Sequence, residues 1–126
     1  MQTRLDDIVM DCANERELAK FYSKLLDKPI QNHFNHLAIS IDGIRIMFNK
    51  IDNYQPPIQV HADTPQIKNG GQTRQFHFDF TVSDLEEAVK FAQSLGAKLT
   101  EYQPRPKQYL ALIDSAGHMF HLCLSN

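Results

Sequence analysis

The chain has 126 residues, a mass of 14.5 kDa and a formal net charge of −2, and 42% of its residues are hydrophobic and 22% charged. These values are typical of one folded domain and exclude a disordered or fibrous protein, and the scattered lysines and arginines argue against a nucleic-acid partner. No apolar run reaches the roughly 18 residues of a membrane-spanning helix and no signal-peptide stretch is present, so a cytoplasmic location, no membrane partner and reduced Cys12 and Cys123 are expected.

The first half of the chain predicts a strand, a helix and three further strands. Apolar and polar residues alternate over Leu5 to Cys12, which predicts the first strand. Asn14 predicts a helix cap, and the apolar spacing behind it predicts a helix that ends at Asp27-Lys28-Pro29. A short edge strand over Pro29 to Asn32 is followed by a hairpin with Asp42-Gly43 as its turn. The hairpin strands are His36 to Ile41 and Ile44 to Ile51.

The second half predicts the same order of elements after a linker, about 52–73, that is rich in proline and glycine. Within this linker, Ile58 to His61 is a candidate short strand. Gln75 to Val82 alternates like a strand, and two overlapping capping boxes, Ser83 with Glu86 and Asp84 with Glu87, predict a helix start. That helix should end at Gly96, and the predicted strands after it are Lys98 to Tyr102, Gln108 to Asp114 and His118 to Leu124.

The two halves align with each other along the chain. A shift of 70 residues places Asp7 under His77 and superimposes the two strand-helix junctions. A shift of 72 residues matches the last strands and places Asn49 under His121. The prediction is therefore one α+β domain of two tandem βαβββ modules, about 4–51 and 74–126, each contributing one polar residue from its first strand and one from its last.

Four segments carry a likeness to a known group of proteins: Ala19 to Leu26, His77 to Asp84, Leu95-Gly96-Ala97 and Asp114 to Phe120. With the duplicated βαβββ order, they resemble the vicinal oxygen chelate superfamily, and in particular its glyoxalase-like members. Bleomycin resistance proteins and extradiol dioxygenases are similar. The resemblance implies a curved mixed sheet that forms a cup, with the helices outside and a small organic ligand inside. It also implies a homodimer, since dimers are common among such proteins.

The resemblance further implies four ligand positions for a divalent cation, and Asp7, Asn49, His77 and His121 occupy them here. Glyoxalase I would have His, Glu, His and Glu at these positions, so its isomerase reaction does not carry over. Two imidazoles and one carboxylate remain a competent set for Fe, Mn, Ni or Zn. The predicted metal ligands are therefore Asp7, His77 and His121, with Asn49 as a weak further donor. The alternative is that these residues line a polar cup without metal.

Further residues are candidates for catalysis and ligand binding. Asp79 and Asp11 are candidate general bases, because a carboxylate beside an imidazole can fix its tautomer or accept a proton. Each could equally be a solvated strand residue. The candidate ligand-binding residues, which would mostly supply an apolar wall, are Met47, Asn49, Tyr109, Met119 and Cys123.

Two functions follow from these expectations. The first is a metal-dependent lyase, isomerase or dioxygenase acting on a small organic substrate. The second is a metal-free protein that binds or sequesters a small molecule, as bleomycin resistance proteins do. Apart from these two, a structural or regulatory partner whose cup has lost its use is a third alternative. The Gly70-Gly71 pair lacks the Lys-Ser/Thr of a phosphate-binding loop, so nucleotide chemistry is not expected.

Overall fold

A computed structural model describes residues 1–57, 59–60, 72–73 and 76–125 of the chain. The chain divides into two units, Met1–Gln55 and Pro56–Asn126, each with one four-stranded mixed sheet and one helix. The predicted α+β class with two βαβββ modules is confirmed. Among the described residues, neither helix is long and apolar enough to cross a membrane.

The first unit contains one βαβββ module. Its elements are β1 (Asp7–Cys12), α1 (Glu15–Leu26), β2 (Gln31–His33), β3 (His36–Ile41) and β4 (Ile44–Lys50). The sheet order is β1-β4-β3-β2, with β1 parallel to β4 and the other pairs antiparallel. Asn14 caps α1 by accepting a hydrogen bond from the Glu17 backbone N–H at 3.0 Å. Asp42 and Gly43 have φ values of 51° and 81°, as a two-residue hairpin turn with positive φ at both positions requires.

The core of the first unit lies between α1 and one face of its sheet. Tyr22 stacks on Phe48 with ring centroids 6.1 Å apart, and Leu18 and Ile39 are fully buried beside them. Burying each such side chain contributes about 1.5–3 kcal/mol to folding. Because side chains alternate along a strand, the polar residues of β1 and β4 project from the opposite face.

The second unit repeats this module after a two-stranded parallel pair. Its elements are β5 (Gln59–Val60), β6 (Gln72–Thr73), β7 (Phe78–Val82), α2 (Leu85–Ser94), β8 (Lys98–Leu99), β9 (Tyr109–Ile113) and β10 (Met119–Leu124). The main sheet has the order β7-β10-β9-β8, with β7 parallel to β10, which is the order of the first sheet. Phe120 and Leu122 are buried, and α2 packs against β9 and β10.

Several element ends differ from the predictions. β1 begins at Asp7, two residues after Leu5. β2 is displaced to Gln31–His33, since Pro29 has no N–H for a ladder. β8 ends at Leu99 and not at Tyr102, because beyond it only the Thr100 N–H still bonds to β9, and the Ala111 N–H donates to a side chain instead.

The second helix uses one of its two predicted caps. The Asp84 side chain accepts a hydrogen bond from the Glu87 backbone N–H at 3.0 Å, so the capping register is the Asp84 one. Gly96 follows the helix with φ 110°, which confirms the predicted helix end. The predicted strand Ile58 to His61 is observed in part as β5. The residues outside the described part of the chain include both ends of that predicted strand, Ile58 and His61, and also Gln75 and the Gly70-Gly71 pair.

Candidate metal centre

The register of two parallel strands sets Asp79 beside His121. In the β7–β10 ladder these residues are direct partners, so their side chains project from the same face of the second sheet. His77 lies two residues before Asp79 in the chain. Three polar side chains therefore lie together beside the start of β7 and the middle of β10.

One carboxylate oxygen contacts both imidazoles. Oδ1 of Asp79 lies 3.1 Å from Nδ1 of His121 and 3.3 Å from Nε2 of His77, both near hydrogen-bonding distance. The two imidazole rings are 4.3 Å apart between centroids and tilted by 43°. The side chain of His121 is 6% exposed, that of His77 26% and that of Asp79 61%. This His77–Asp79–His121 cluster therefore reaches from the protein interior to solvent.

Two of the predicted ligand-binding residues border the cluster. The Tyr109 ring stacks on the His121 imidazole at 4.6 Å and 21°, and Tyr109 pairs with Cys123 in the β9–β10 ladder. Burial raises the pKa of the Cys123 thiol, and the negative charge of Asp79 and a hydrogen bond with it raise the pKa further. Met119 is buried at the start of β10, and its backbone N–H donates to Oε1 of Gln59 at 2.8 Å.

The predicted site residues of the first unit form cross-strand pairs of their own. Asp7 accepts a hydrogen bond from Nε of Arg45 at 2.5 Å, with both side chains 28% exposed. Asn49 donates to the Asp11 carboxylate at 3.1 Å. Met47 is half-buried between these two pairs in the same strand. The functional roles given to Asp7, Asp11, Met47 and Asn49 stay predictions.

The donor atoms of the second unit suit a transition-metal ion. His77, Asp79 and His121 each offer one ligand atom, and these atoms lie within 4.8 Å of one another. Two imidazoles with a carboxylate are ligands that Mn, Fe, Ni and Zn accept. The residues therefore fit a divalent cation. The sequence assigned the carboxylate of such a set to Asp7, whereas the carboxylate in contact with both imidazoles is that of Asp79.

The meeting of Asp79 and His121 follows from a shift in strand register. The alignment of the two halves makes Asp79 the counterpart of Val9, whose ladder partner Met47 is the counterpart of Met119. In the structure Asp79 pairs with His121 instead, two residues further along β10. A shift of two residues leaves every side chain on its original face but gives it a new neighbour. Internal alignment alone could not reveal this neighbour.

Two tandem βαβββ modules with matching sheet order define the fold of the vicinal oxygen chelate superfamily, and the predicted resemblance is confirmed. The glyoxalase-like domain family matches residues 7–123, and the chain belongs to that family. No curated protein matches the chain by sequence.

Solved structures of similar fold come from several bacteria. FosX, a genomically encoded fosfomycin resistance protein from Listeria monocytogenes, has a TM-score of 0.69 at 15% identity, over 100% of this chain and 96% of that one. A glyoxalase-related enzyme from Fulvimarina pelagi has a TM-score of 0.65 at 12% identity, over 98% and 89% of the two chains. An integron cassette protein from V. cholerae has a TM-score of 0.62 at 15% identity, over 100% and 98%.

One of these relatives has been solved with a metal ion. A variant of the Listeria FosX forms a complex with Mn(II) and 1S,2S-dihydroxypropylphosphonic acid, and its TM-score to this chain is 0.69 at 15% identity. At such identities the likeness concerns the fold alone.

Proposed function

We propose that the chain binds a divalent transition-metal ion through His77, His121 and Asp79 and acts on a small organic molecule held at that ion. The observation that carries this proposal is the single Asp79 oxygen lying within 3.3 Å of a nitrogen on each imidazole. Asp7 is the alternative carboxylate, because the resemblance assigns a ligand to its position. Asp79 is preferred, since the Asp7 carboxylate is already engaged by Arg45.

The identity of the ion follows from the donor types. Imidazole nitrogen with carboxylate oxygen favours Mn, Fe, Ni or Zn over calcium, which prefers oxygen ligands alone. The FosX variant complexed with Mn(II) supports Mn(II) as the first ion to test. The phosphonic acid bound by that variant is likewise a reasonable first ligand probe.

The chain's own residues would prepare the site for the ion. Before an ion binds, the Asp79 carboxylate 3.1 Å from Nδ1 of His121 orients that imidazole, with this nitrogen turned toward the other two ligands. Tyr109 packs flat on the same ring and restricts its rotation. When bound, the ion would supply Lewis-acid polarisation of an oxygen on the substrate.

A proton acceptor is also at hand. Asp79 is the exposed member of the cluster, so a ligand beside His77 can reach its carboxylate. This is the general-base role predicted for Asp79, and it would support a lyase, isomerase or dioxygenase reaction on a molecule with two neighbouring oxygens. The same role for Asp11 stays a less direct alternative, since its carboxylate accepts from Asn49.

The test is metal stoichiometry and affinity in purified, metal-stripped protein titrated with Mn(II), Fe(II), Ni(II) and Zn(II). Wild type should bind one ion, and His77→Ala and His121→Ala should each weaken binding by at least about a hundredfold, since each removes a ligand. His33→Ala, in the first unit, is the matched control and should bind like wild type. Stoichiometric binding that survives both cluster substitutions would reject this site.

A metal-free binding protein is the second candidate function. It is favoured by one observation: a carboxylate placed between two imidazoles forms a polar network that a ligand can hydrogen-bond, with the Tyr109 ring beside it as apolar surface. Failure of all four ions to bind wild type would favour this candidate. Binding of a small-molecule library, followed by thermal unfolding, would then identify its ligand.

Two broader expectations belong to the same proposal. The resemblance implies a homodimer, which light scattering of the purified protein tests directly. A cytoplasmic location stays a prediction, which fractionation of the source cells tests.

A further inference from the structure

The side chain of Gln103 hydrogen-bonds to β9 just beyond the end of β8, at one edge of the second sheet. Its Oε1 accepts from the Ala111 backbone N–H at 2.9 Å, and its Nε2 donates to the Ala111 carbonyl at 2.9 Å. The same Nε2 lies 2.9 Å from the carbonyl oxygen of Thr100 and 3.0 Å from its hydroxyl. One carboxamide therefore binds both backbone groups of Ala111.

The backbone does only part of this work, because the Thr100 N–H still donates to the Ala111 carbonyl at 3.2 Å. β8 ends at Leu99, and the loop behind it contains Pro104 and Pro106, which have no N–H to offer a ladder. Ala111 is 4% exposed, and a buried backbone group left without a partner costs about 1–3 kcal/mol. A carboxamide carries a donor and an acceptor side by side, as a peptide group does. Gln103 therefore completes the pairing of Thr100 with Ala111 by accepting from the Ala111 N–H.

The residue that Gln103 holds belongs to the row of the metal centre. Ala111 lies directly opposite His121 in the β9–β10 ladder, and His121 lies directly opposite Asp79 in the β7–β10 ladder. One row across the second sheet thus contains Ala111, His121 and Asp79, and Gln103 binds the outer end of this row. Ala111 and His121 form a non-hydrogen-bonded pair of this ladder, the type in which facing side chains lie closest, so a displacement of Ala111 changes the packing around the imidazole.

The loop that carries Gln103 is attached to β9 at a second point. The backbone N–H of Tyr109 donates to the Arg105 carbonyl at 3.0 Å, and the Tyr109 ring stacks on His121. The loop therefore holds two β9 residues that border the His121 side chain. Gln103 binds the backbone of Ala111, and the Arg105 carbonyl binds the backbone of Tyr109.

We propose that Gln103 is a positioning residue for the candidate metal centre: by holding Ala111, its carboxamide sets the position of the His121 imidazole against Asp79. The consequence for metal affinity rests on the proposed function. The consequence for the position of the imidazole does not, because it follows from the contacts within the second unit alone.

The test uses two substitutions and one control. Gln103→Met keeps the length of the side chain and removes every hydrogen bond, whereas Gln103→Glu keeps the acceptor for the Ala111 N–H and removes the donor. Gln93→Met, on the exposed side of α2, is the matched control. The readouts are the ring NMR signals of His121 in the metal-free protein and the affinity for Mn(II).

Gln103→Met should shift the His121 ring signals and weaken Mn(II) binding by at least about tenfold, the effect typical of residues behind a metal ligand. Gln103→Glu should do so less, and Gln93→Met should change neither readout. A folded Gln103→Met protein with unmoved His121 signals would overturn the proposal. If Gln103→Met does not fold, the same outcome in Gln103→Glu overturns it. If wild type binds no Mn(II), the proposed function fails while the NMR signals still decide the positioning role.

Discussion

Asp79 and His121 are direct partners in a parallel ladder, with Oδ1 of one 3.1 Å from Nδ1 of the other. His77 reaches the same oxygen from the preceding residues of the chain, at 3.3 Å. The carboxylate thus links two imidazoles that come from opposite ends of the second module. The proposed metal centre depends on this link.

The first prediction concerns the carboxylate. Asp79→Asn keeps the shape of the side chain and removes its charge, so metal affinity should fall by about 10–100-fold. Asp7→Asn should leave the affinity within about twofold of wild type, because Asp7 is paired with Arg45. Isothermal titration with Mn(II) measures both, with Asp52→Asn as the exposed control. A large loss in Asp7→Asn and none in Asp79→Asn would instead support the ligand set predicted from the sequence.

The second prediction uses the duplication to build a second site. Val9 lies two residues before Asp11, and Asn49 is the ladder partner of Asp11, which repeats the arrangement of His77, Asp79 and His121. Val9 is 53% exposed, so a histidine is tolerated there. The double variant Val9→His/Asn49→His should bind one more metal ion than wild type. Elemental analysis decides, and an unchanged ratio of metal to protein would contradict the equivalence of the two ladders.

The third prediction concerns a close contact in the second unit. Gly117 has φ +91°, and a Cβ there would lie 3.0 Å from Cβ of Pro56 and 3.3 Å from Cδ of Pro57. Gly117→Ala should therefore lower the free energy of unfolding by about 2–4 kcal/mol, from backbone strain plus displaced neighbours.

Gly43 provides the matched control for this contact. It has φ +81°, and a Cβ there meets no described atom within 4 Å. Gly43→Ala should cost only the backbone strain, about 1–2 kcal/mol. Urea denaturation of both variants gives the difference. Equal losses would mean that the proline contact contributes nothing.

The fourth prediction separates the two capping boxes of α2. Asp84→Ala removes the acceptor of the Glu87 N–H and should lower the free energy of unfolding by about 1 kcal/mol. Ser83→Ala should change it by less than about 0.5 kcal/mol, since Ser83 is exposed and does not cap the helix. Thermal and urea unfolding measure both. The reverse order would show that the Ser83 register forms in solution.

The fold could be predicted from the sequence because its signals are local. Strand alternation, the Asn14 cap, the Asp42-Gly43 turn and the Gly96 helix end each depend on a few neighbouring residues, and each is confirmed. The order of elements in the two halves then indicated the duplicated module.

The neighbours within the site could not be predicted in the same way. The turn between β3 and β4 has two residues, since Ile41 pairs with Ile44, whereas Ile113 pairs with Met119 across five residues. Asp114 stabilises that longer turn by accepting from two backbone N–H groups, at 2.9 and 3.0 Å. Matching residues across turns of different length does not preserve strand register. The sequence therefore predicted His77 and His121 as metal ligands and Asp79 only as a base, and it gave the carboxylate ligand to Asp7.

NMR of the imidazole groups, while Zn(II) is added to the metal-stripped protein, tests directly whether His77 and His121 bind the same ion. The protein has six histidines, so four of them serve as internal controls. One equivalent of Zn(II) should shift the ring signals of His77 and His121 together and leave the other four unmoved. Signals of His77 and His121 that stay in place while Zn(II) binds, or that move separately, would contradict a shared metal centre.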